Sequence, residues 1–305
     1  ELGLVKVRAP SGRLVYAAPG AGGADRLKLL GAAMRRYATH VEEAGPLGAM
    51  APRSRLEPLV TVVVPCFNSL DYLPQTVSSI LAQEHDHLEV VLVDDGGTDD
   101  LAGWVASQVD PRVRLIRQDN AGPSAARNTG IAAARGDLVA FLDSDDTWEP
   151  DFLSEMVACF APRQQQPQQQ PGVSPGRPDS GPASRPVGLA YSGWDVIDAE
   201  GRPNGRATVS TWSGDVWAQF VTRNPVACSG AVVRRSVFDD VGDFAVNRDR
   251  FPIDVEDWEM WVRISSSYPV AVVEKVLAHH RRHDSNSSSN PESLHAAYDH
   301  FLDTV

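Results

Sequence analysis

An α/β fold is what this sequence predicts: a Rossmann-like, mostly parallel sheet with helices on both faces. Three observations carry the prediction. Short apolar-rich runs recur at residues 59–64, 88–93, 113–116 and 138–142. Segments with helical spacing separate them. Polar or acidic residues then end the runs: Asn68 after the first, Asp94 and Asp95 after the second, Asp143 and Asp145 after the fourth. In open sheets of this kind ligands sit beyond the carboxyl ends of the strands, near the reversal in strand order.

The elements follow in order. Residues 1–57 form a leader, in which Leu27, Leu30, Ala33, Met34, Tyr37 and Val41 fall at helical spacing and predict one amphipathic helix at 26–41. The strand at 59–64 is expected to stop at Pro65. A helix follows at 71–83, with Leu73, Val77, Ile80 and Leu81 on one face. The strand at 88–93 leads to a helix at 98–108, and the strand at 113–116 to a helix at 123–134. The strand at 138–142 leads to a helix at 151–160. Residues 162–186 are Gln, Pro, Gly and Ser with almost no apolar side chain, so they cannot bury a core and are expected to be a disordered insertion. Their place just after the acidic stretch suggests an effect on access to it. Beyond them, strands are expected at 187–192, 227–234, 270–273 and 276–280, and helices at 216–222, 236–241 and 255–267. This second part reads as a smaller, mixed region. A polar loop at 285–290 leads to a last helix at 292–304. The main domain is therefore 58–290, with 291–305 a C-terminal helix. The chain opens on Glu1 and ends inside that helix, and is expected to be a segment of a longer protein.

Composition narrows the function. A formal charge of −12 argues against a nucleic-acid partner. The three cysteines, Cys66, Cys159 and Cys228, form no C-x-x-C pair, which suits a reducing compartment. No stretch has the apolar length of a membrane span. The expected location is cytoplasmic, with peripheral membrane contact open.

Five stretches carry the chemistry. In AFLDSDDTWEP (140–150) three carboxylates crowd the end of a buried strand. They repel one another and lose solvation, and a hard divalent cation is the usual compensation. Asp143 and Asp145 are two apart and leave an extended chain on one face. The plainer reading is an acidic turn capping the next helix. VVVPCFN (62–68) and VDDGGTDD (93–100) are also strand ends, or ordinary strand-to-helix loops. In DNAGPSAARNTG (119–130) a helix begins at Gly122–Pro123, with free N–H groups suited to an anion. Arg127 lies one turn in, to meet the same anion or to pair with a carboxylate. In VEDWEMWVR (255–263) Glu256 and Asp257 lead a helix, as a cap or as a general base.

Together, in this order, these stretches resemble the family-2 glycosyltransferases of GT-A fold. The match runs through V-P-C-F-N, D-D-G-G-T-D, N-A-G-P-S-A-A-R-N, D-S-D-D and E-D-W, and covers roughly residues 59–285. The resemblance implies an inverting enzyme that uses a nucleotide-diphosphate sugar, with UDP the expected nucleotide. Pro65 and Asn68 look like the first nucleotide-contacting loop. Asp95 resembles the carboxylate at the base, with Asp94 beside it. Arg127 looks like the arginine facing the nucleotide phosphates. Asp143 and Asp145 resemble the D-x-D that holds the ribose and a divalent metal, Mn2+ or Mg2+. Asp257 matches the catalytic base, with Glu256 its neighbour. His283 matches an Arg-x-His segment near the diphosphate, although His279 and His280 offer competing registers. The acceptor would be a saccharide, a lipid-linked group or a protein. Gly97 stands where relatives carry Ser, a loss of one hydroxyl. Two rival readings are a non-catalytic nucleotide-sugar-binding module of a longer protein and a sugar-1-phosphate nucleotidyltransferase. The latter usually carries a Gly-rich, Arg-containing loop where this chain has V-P-C-F-N.

Overall fold

The structure is a computed structural model. It describes residues 57–107, 110–161, 185–246 and 255–284, with the backbone of two short strands nearer the N-terminus. The helices expected at 26–41 and 292–304, the loop at 285–290 and nearly all of the 162–186 insertion lie outside the described residues.

Those two strands, β1 (Val5–Arg8) and β2 (Leu14–Ala17), pair antiparallel. Nine further strands build one mixed sheet. Its parallel half is β3 (Val60–Cys66), β4 (Leu88–Asp94), β5 (Val113–Arg117) and β6 (Leu138–Phe141). The other half is β7 (Thr147–Trp148), β8 (Leu189–Ile197), β9 (Pro203–Thr208), β10 (Ala231–Arg234) and β11 (Val270–Arg281). The order across the sheet is β5-β4-β3-β6-β10-β8-β11-β7, with β9 against β8. The order reverses at β3, so the carboxyl ends of β3 and β6 flank the crevice where a ligand belongs.

Seven helices pack on the sheet among the described residues: α1 (Leu73–Leu81), α2 (Leu101–Ser107), α3 (Pro123–Ala133), α4 (Phe152–Ala158), α5 (Trp217–Thr222), α6 (Val237–Val241) and α7 (Glu256–Ser267). Side chains of a strand alternate between faces, and here both faces are apolar. Val62, Val64, Val90, Leu92 and Ala140 meet Leu73 and Ile80 of α1, Leu101 of α2 and Phe152 of α4. Val63, Phe141, Tyr191 and Val233 meet Ile131 of α3, Phe220 of α5, Phe238 of α6 and Trp261 of α7. This double burial is why the strands read as apolar runs. α3 and α7 share a face, with Arg127 one turn into α3 and Asp257 in the first turn of α7.

Three expectations are corrected. β3 does not stop at Pro65 but runs to Cys66. Val63 O accepts from Leu142 N on one side, and Cys66 O from Asp95 N on the other. By that alternation Pro65 turns its missing N–H toward β6, whose pairing with β3 ends at Val63↔Phe141. The runs 270–273 and 276–280 are one strand, β11, continuous through register shifts against β8. The run 227–234 opens as a 3-10 turn, Cys228–Gly230, and becomes strand only at Ala231. The described flanks of the insertion lie away from the acidic stretch. Arg234 pairs with Leu138, the first residue of β6, and lies over the Phe160 ring at 5.4 Å. The N–H of Arg234 donates to Gly188 O. Both described flanks therefore sit at the amino edge of β6, and Asp143 lies beyond its carboxyl end. β7 and β9 were not expected: one is two residues long, and the other, PNGRAT, has no apolar alternation.

Candidate active site

Every strand of the parallel half delivers polar residues to one edge. After β3, Phe67 is exposed and Asn68 takes a left-handed conformation, φ 51°, which Asn tolerates better than most residues. The Asn68 side-chain oxygen accepts from Thr98 N at 2.7 Å and from the Thr98 hydroxyl at 3.1 Å. Asp99 returns the link, accepting from the N–H groups of Ser69 and Leu70. The loops after β3 and β4 thus form one rim, with Pro65 half-buried beneath it.

Asp94 and Asp95 are buried and engaged within this rim. Asp94 accepts from Gly97 N at 2.9 Å and pairs with Arg117 at 3.1 Å. Asp95 accepts from Gln118, Ala121 N and Gly122 N at 2.7–2.9 Å. It so holds the turn into α3, where Gly122 has φ 92°.

Arg127 is buried among carboxylates. Its side chain is 5% exposed, and one guanidinium spans two carboxylates: Asp143 at 2.8 Å and Glu256 at 2.8 Å. It lies 5.7 Å from the centre of the Phe244 ring. Asn128 fixes that ring by exchanging two hydrogen bonds with the Phe244 main chain. Arg127 therefore joins the loop after β6 to the start of α7.

The acidic stretch divides into three roles. Asp143 pairs with Arg127 and stays partly exposed. Asp145 stands 2.9 Å from His283 Nε2. Burial, Asp146 and Asp143 push Asp145 up to about 6, against the pull of His283 and His280. Asp146 points inward and is 1% exposed.

At the head of α7 the helix dipole favours anions, yet Asp257 is displaced the other way. Burial and the charge of Glu256 push it up to about 7, although Arg127 and the N–H of Trp258 oppose them. The helix is held to α5 by Trp258 Nε1, which donates to Phe220 O at 2.6 Å. Asn224 stands 3.5 Å from Asp257 Oδ2.

The histidine register is resolved. His279 faces Asp195 and Glu149, and His280 faces Asp146. His283 reaches Asp145 and stacks on Tyr72 with ring centres 4.5 Å apart. Arg281 is buried and donates to the main-chain oxygens of Asp145, Asp198 and Ala199 and to Gln75. Beside His283 a cleft of about 540 Å3 opens, lined by Tyr72, Glu200 and Arg282 among others.

The structure thus gathers Arg127, Asp143, Glu256 and Asp257 into one cluster, sets Asp145 with His283, and keeps Asn68, Asp94 and Asp95 in the adjoining rim. Sequence reasoning missed Tyr72, Asn224, Asp146 and Ser229. Asp146 lay inside the acidic stretch already singled out, but nothing local separates a buried Asp from its neighbours.

The sequence model of Glycosyl transferase family 2 matches residues 61–166. The likeness to glycosyl transferase family 2 lies in that stretch. The matched stretch holds four of the five motifs, and Glu256 and Asp257 lie beyond it. An uncharacterized glycosyltransferase of Nostoc sp. is 29% identical over 249 residues, 77% of this chain and 68% of its own length. Succinoglycan biosynthesis protein ExoO of Rhizobium meliloti is 52% identical over 101 residues, 33% of this chain and 29% of its own. The chain spans about a third of the length of several curated relatives it matches. S. aureus TarS in complex with UDP-GlcNAc superposes with TM-score 0.54 at 19% identity, over 76% of this chain and 61% of its own. Mannosyltransferase PcManGT from Pyrobaculum calidifontis, in complex with GDP-Man and Mn2+, gives 0.51 at 19% identity, over 86% and 69%. Both likenesses establish the GT-A fold.

Proposed function

We propose that this chain transfers a sugar from a nucleotide-diphosphate sugar, UDP-linked, to an acceptor hydroxyl with inversion of the anomeric carbon. One observation carries the reading. Asp257, a half-buried carboxyl pushed up to about 7, adjoins the Glu256 that shares Arg127 with Asp143. A base poised near neutral pH is the kind that general-base catalysis favours. One guanidinium ties its helix to the loop that would bind the donor.

The nucleotide-sugar complexes of TarS and PcManGT support a donor of this class. The rim of Pro65, Asn68, Asp94 and Asp95 would take the nucleoside. Arg127 and His283 would face the diphosphate. Asp143 and Asp145 suit a hard dication, because crowding already pushes Asp145 up and added positive charge would relieve it. Among the described residues no three acidic, histidine or cysteine side chains are gathered as ready-made ligands, so donor phosphates would complete the shell. When bound, Mn2+ or Mg2+ would supply Lewis-acid stabilisation of the leaving diphosphate.

The remaining steps fall to the chain. Asp257 takes the proton of the acceptor hydroxyl as that oxygen attacks the anomeric carbon. The bond from that carbon to the β-phosphate oxygen breaks on the opposite face, and its electron pair leaves with the diphosphate. One displacement inverts the carbon. The acceptor is a saccharide, a lipid-linked group or a protein hydroxyl. No helix among the described residues is long and apolar enough to cross a membrane.

The test is incubation with Mn2+ and a panel of nucleotide sugars, reading free nucleotide. Release from a UDP-sugar, lost in Asp257→Asn, is the expected result. Nucleotide binding without release, whatever the acceptor, would reduce the site to a binding module.

A further inference from the structure

Asp146 closes the D-S-D-D stretch, and no task above falls to it. Yet it is 1% exposed and heavily engaged. Its Oδ1 accepts the Arg281 N–H at 2.8 Å, with His280 Nδ1 at 3.3 Å. Its Oδ2 accepts the Ser229 hydroxyl at 2.5 Å. Ser229 is 2% exposed, and its oxygen accepts the Asp143 N–H at 3.1 Å.

The chemistry of a hydroxyl fixes the direction of this relay. Ser229 has one proton to give and two lone pairs. An ionised Asp146 can only accept, so the proton points at it and a lone pair is left for Asp143 N–H. The chain Asp143 N–H to Ser229 O–H to Asp146 carboxylate is closed and satisfied. Ser229 enters it from the far half of the sheet, on the turn Cys228–Gly230 that leads into β10. That turn is held in its own right: Trp148 Nε1 donates to Ser229 O at 2.5 Å.

We propose that Ser229 is a positioning residue: its hydroxyl, anchored on Asp146, fixes the main chain of Asp143 and so places the first carboxylate of the donor-binding loop. This rests on the donor site proposed above. Removing the hydroxyl leaves the part-buried Asp143 N–H without this acceptor and Asp146 Oδ2 with only His280 Nδ1, at 3.4 Å, beside it, which costs binding wherever Asp143 must be held still.

The experiment is a double-mutant cycle read by calorimetry, with UDP and Mn2+ as the probe. Ser229→Ala is expected to weaken UDP binding roughly tenfold, as the loss of one buried partner would. Asp143→Asn weakens it further, and in that background Ser229→Ala should add little, because a residue acting through Asp143 has nothing left to place. Ser229→Cys, nearly isosteric but a weak hydrogen-bonding group, should repeat the loss of affinity and guards against an alanine variant that fails to fold. Donor KM should rise more than kcat falls. An equal loss from Ser229→Ala in both backgrounds would overturn the proposal, as would unchanged affinity in both Ser229 variants. If wild type binds neither UDP nor GDP with Mn2+, the donor-site reading itself fails, and the proposal falls with it.

Discussion

A carboxyl that collects a proton from a hydroxyl must be ionised when substrate arrives and basic enough to hold the proton. Asp257, pushed up to about 7 chiefly by burial and by Glu256, meets both conditions just above neutrality. Turnover should therefore rise with pH and level off above about 7. Asp257→Asn should lose that limb and ~10²–10⁴-fold in rate, while UDP affinity stays near wild type. The same shift carries a sign for folding. A carboxyl whose pKa is raised on folding holds its proton better in the native state, so its effect on stability worsens as pH climbs from about 4 to about 7. Asp257→Asn should thus melt higher than wild type at pH 8 and no higher at pH 4; a lower melting temperature at pH 8 would refute the burial account. The residue types and spacings were legible in the sequence at this scale. Their partners were not, because Arg127 and Glu256 meet across 129 positions. Which carboxylates Arg127 would pair with, and which histidine would reach Asp145, depended on such long-range pairings.

α3 has to come close to the sheet for Arg127 to reach both carboxylates, and Gly130 is what allows it. A Cβ built there would lie 2.2 Å from Val63 Cγ1 in the floor of the sheet. Gly130→Ala gains ~1 kcal/mol of helix propensity. The forced displacement costs ~1–3 kcal/mol. The net expectation is a lower urea midpoint with an unchanged slope, and weaker UDP binding as α3 lifts Arg127. A higher midpoint would mean that the contact yields without strain. Helices and strands of the parallel half were readable because apolar runs and helical spacing alternate cleanly. The second half was less so: β11 crosses register shifts, and β9 is polar throughout. Pro65 misled for a definite reason, since a strand tolerates proline where its neighbour has already ended.

Across the whole molecule the two edges of the sheet have different duties. The amino edge is stapled by Glu89, a buried carboxylate that accepts from the Thr61 hydroxyl and Arg135 N and pairs with Arg114. Burial alone would raise its pKa, but these donors outweigh it and the net shift is downward. A lowered pKa adds stability above the unfolded value, and that share is lost as pH falls through the folded one. Glu89→Gln should flatten the acid limb of the melting curve below about pH 4.5; an unaltered limb would assign it to other carboxylates. The insertion joins this same edge, through Phe160 and Gly188 beside Arg234. Replacing residues 164–184 with a short Gly/Ser linker should leave UDP affinity unchanged and the melting temperature within a few degrees, since closure entropy varies by only ~0.6 kcal/mol per doubling of loop length. A large loss of affinity would show that the segment reaches the other edge after all. For an engineer, this geometry makes the segment between Ala161 and Arg185 a splice site. A fluorescent domain or an affinity handle inserted there would be anchored at the amino edge of β6, the end opposite Asp143, and should report on the protein with donor binding intact.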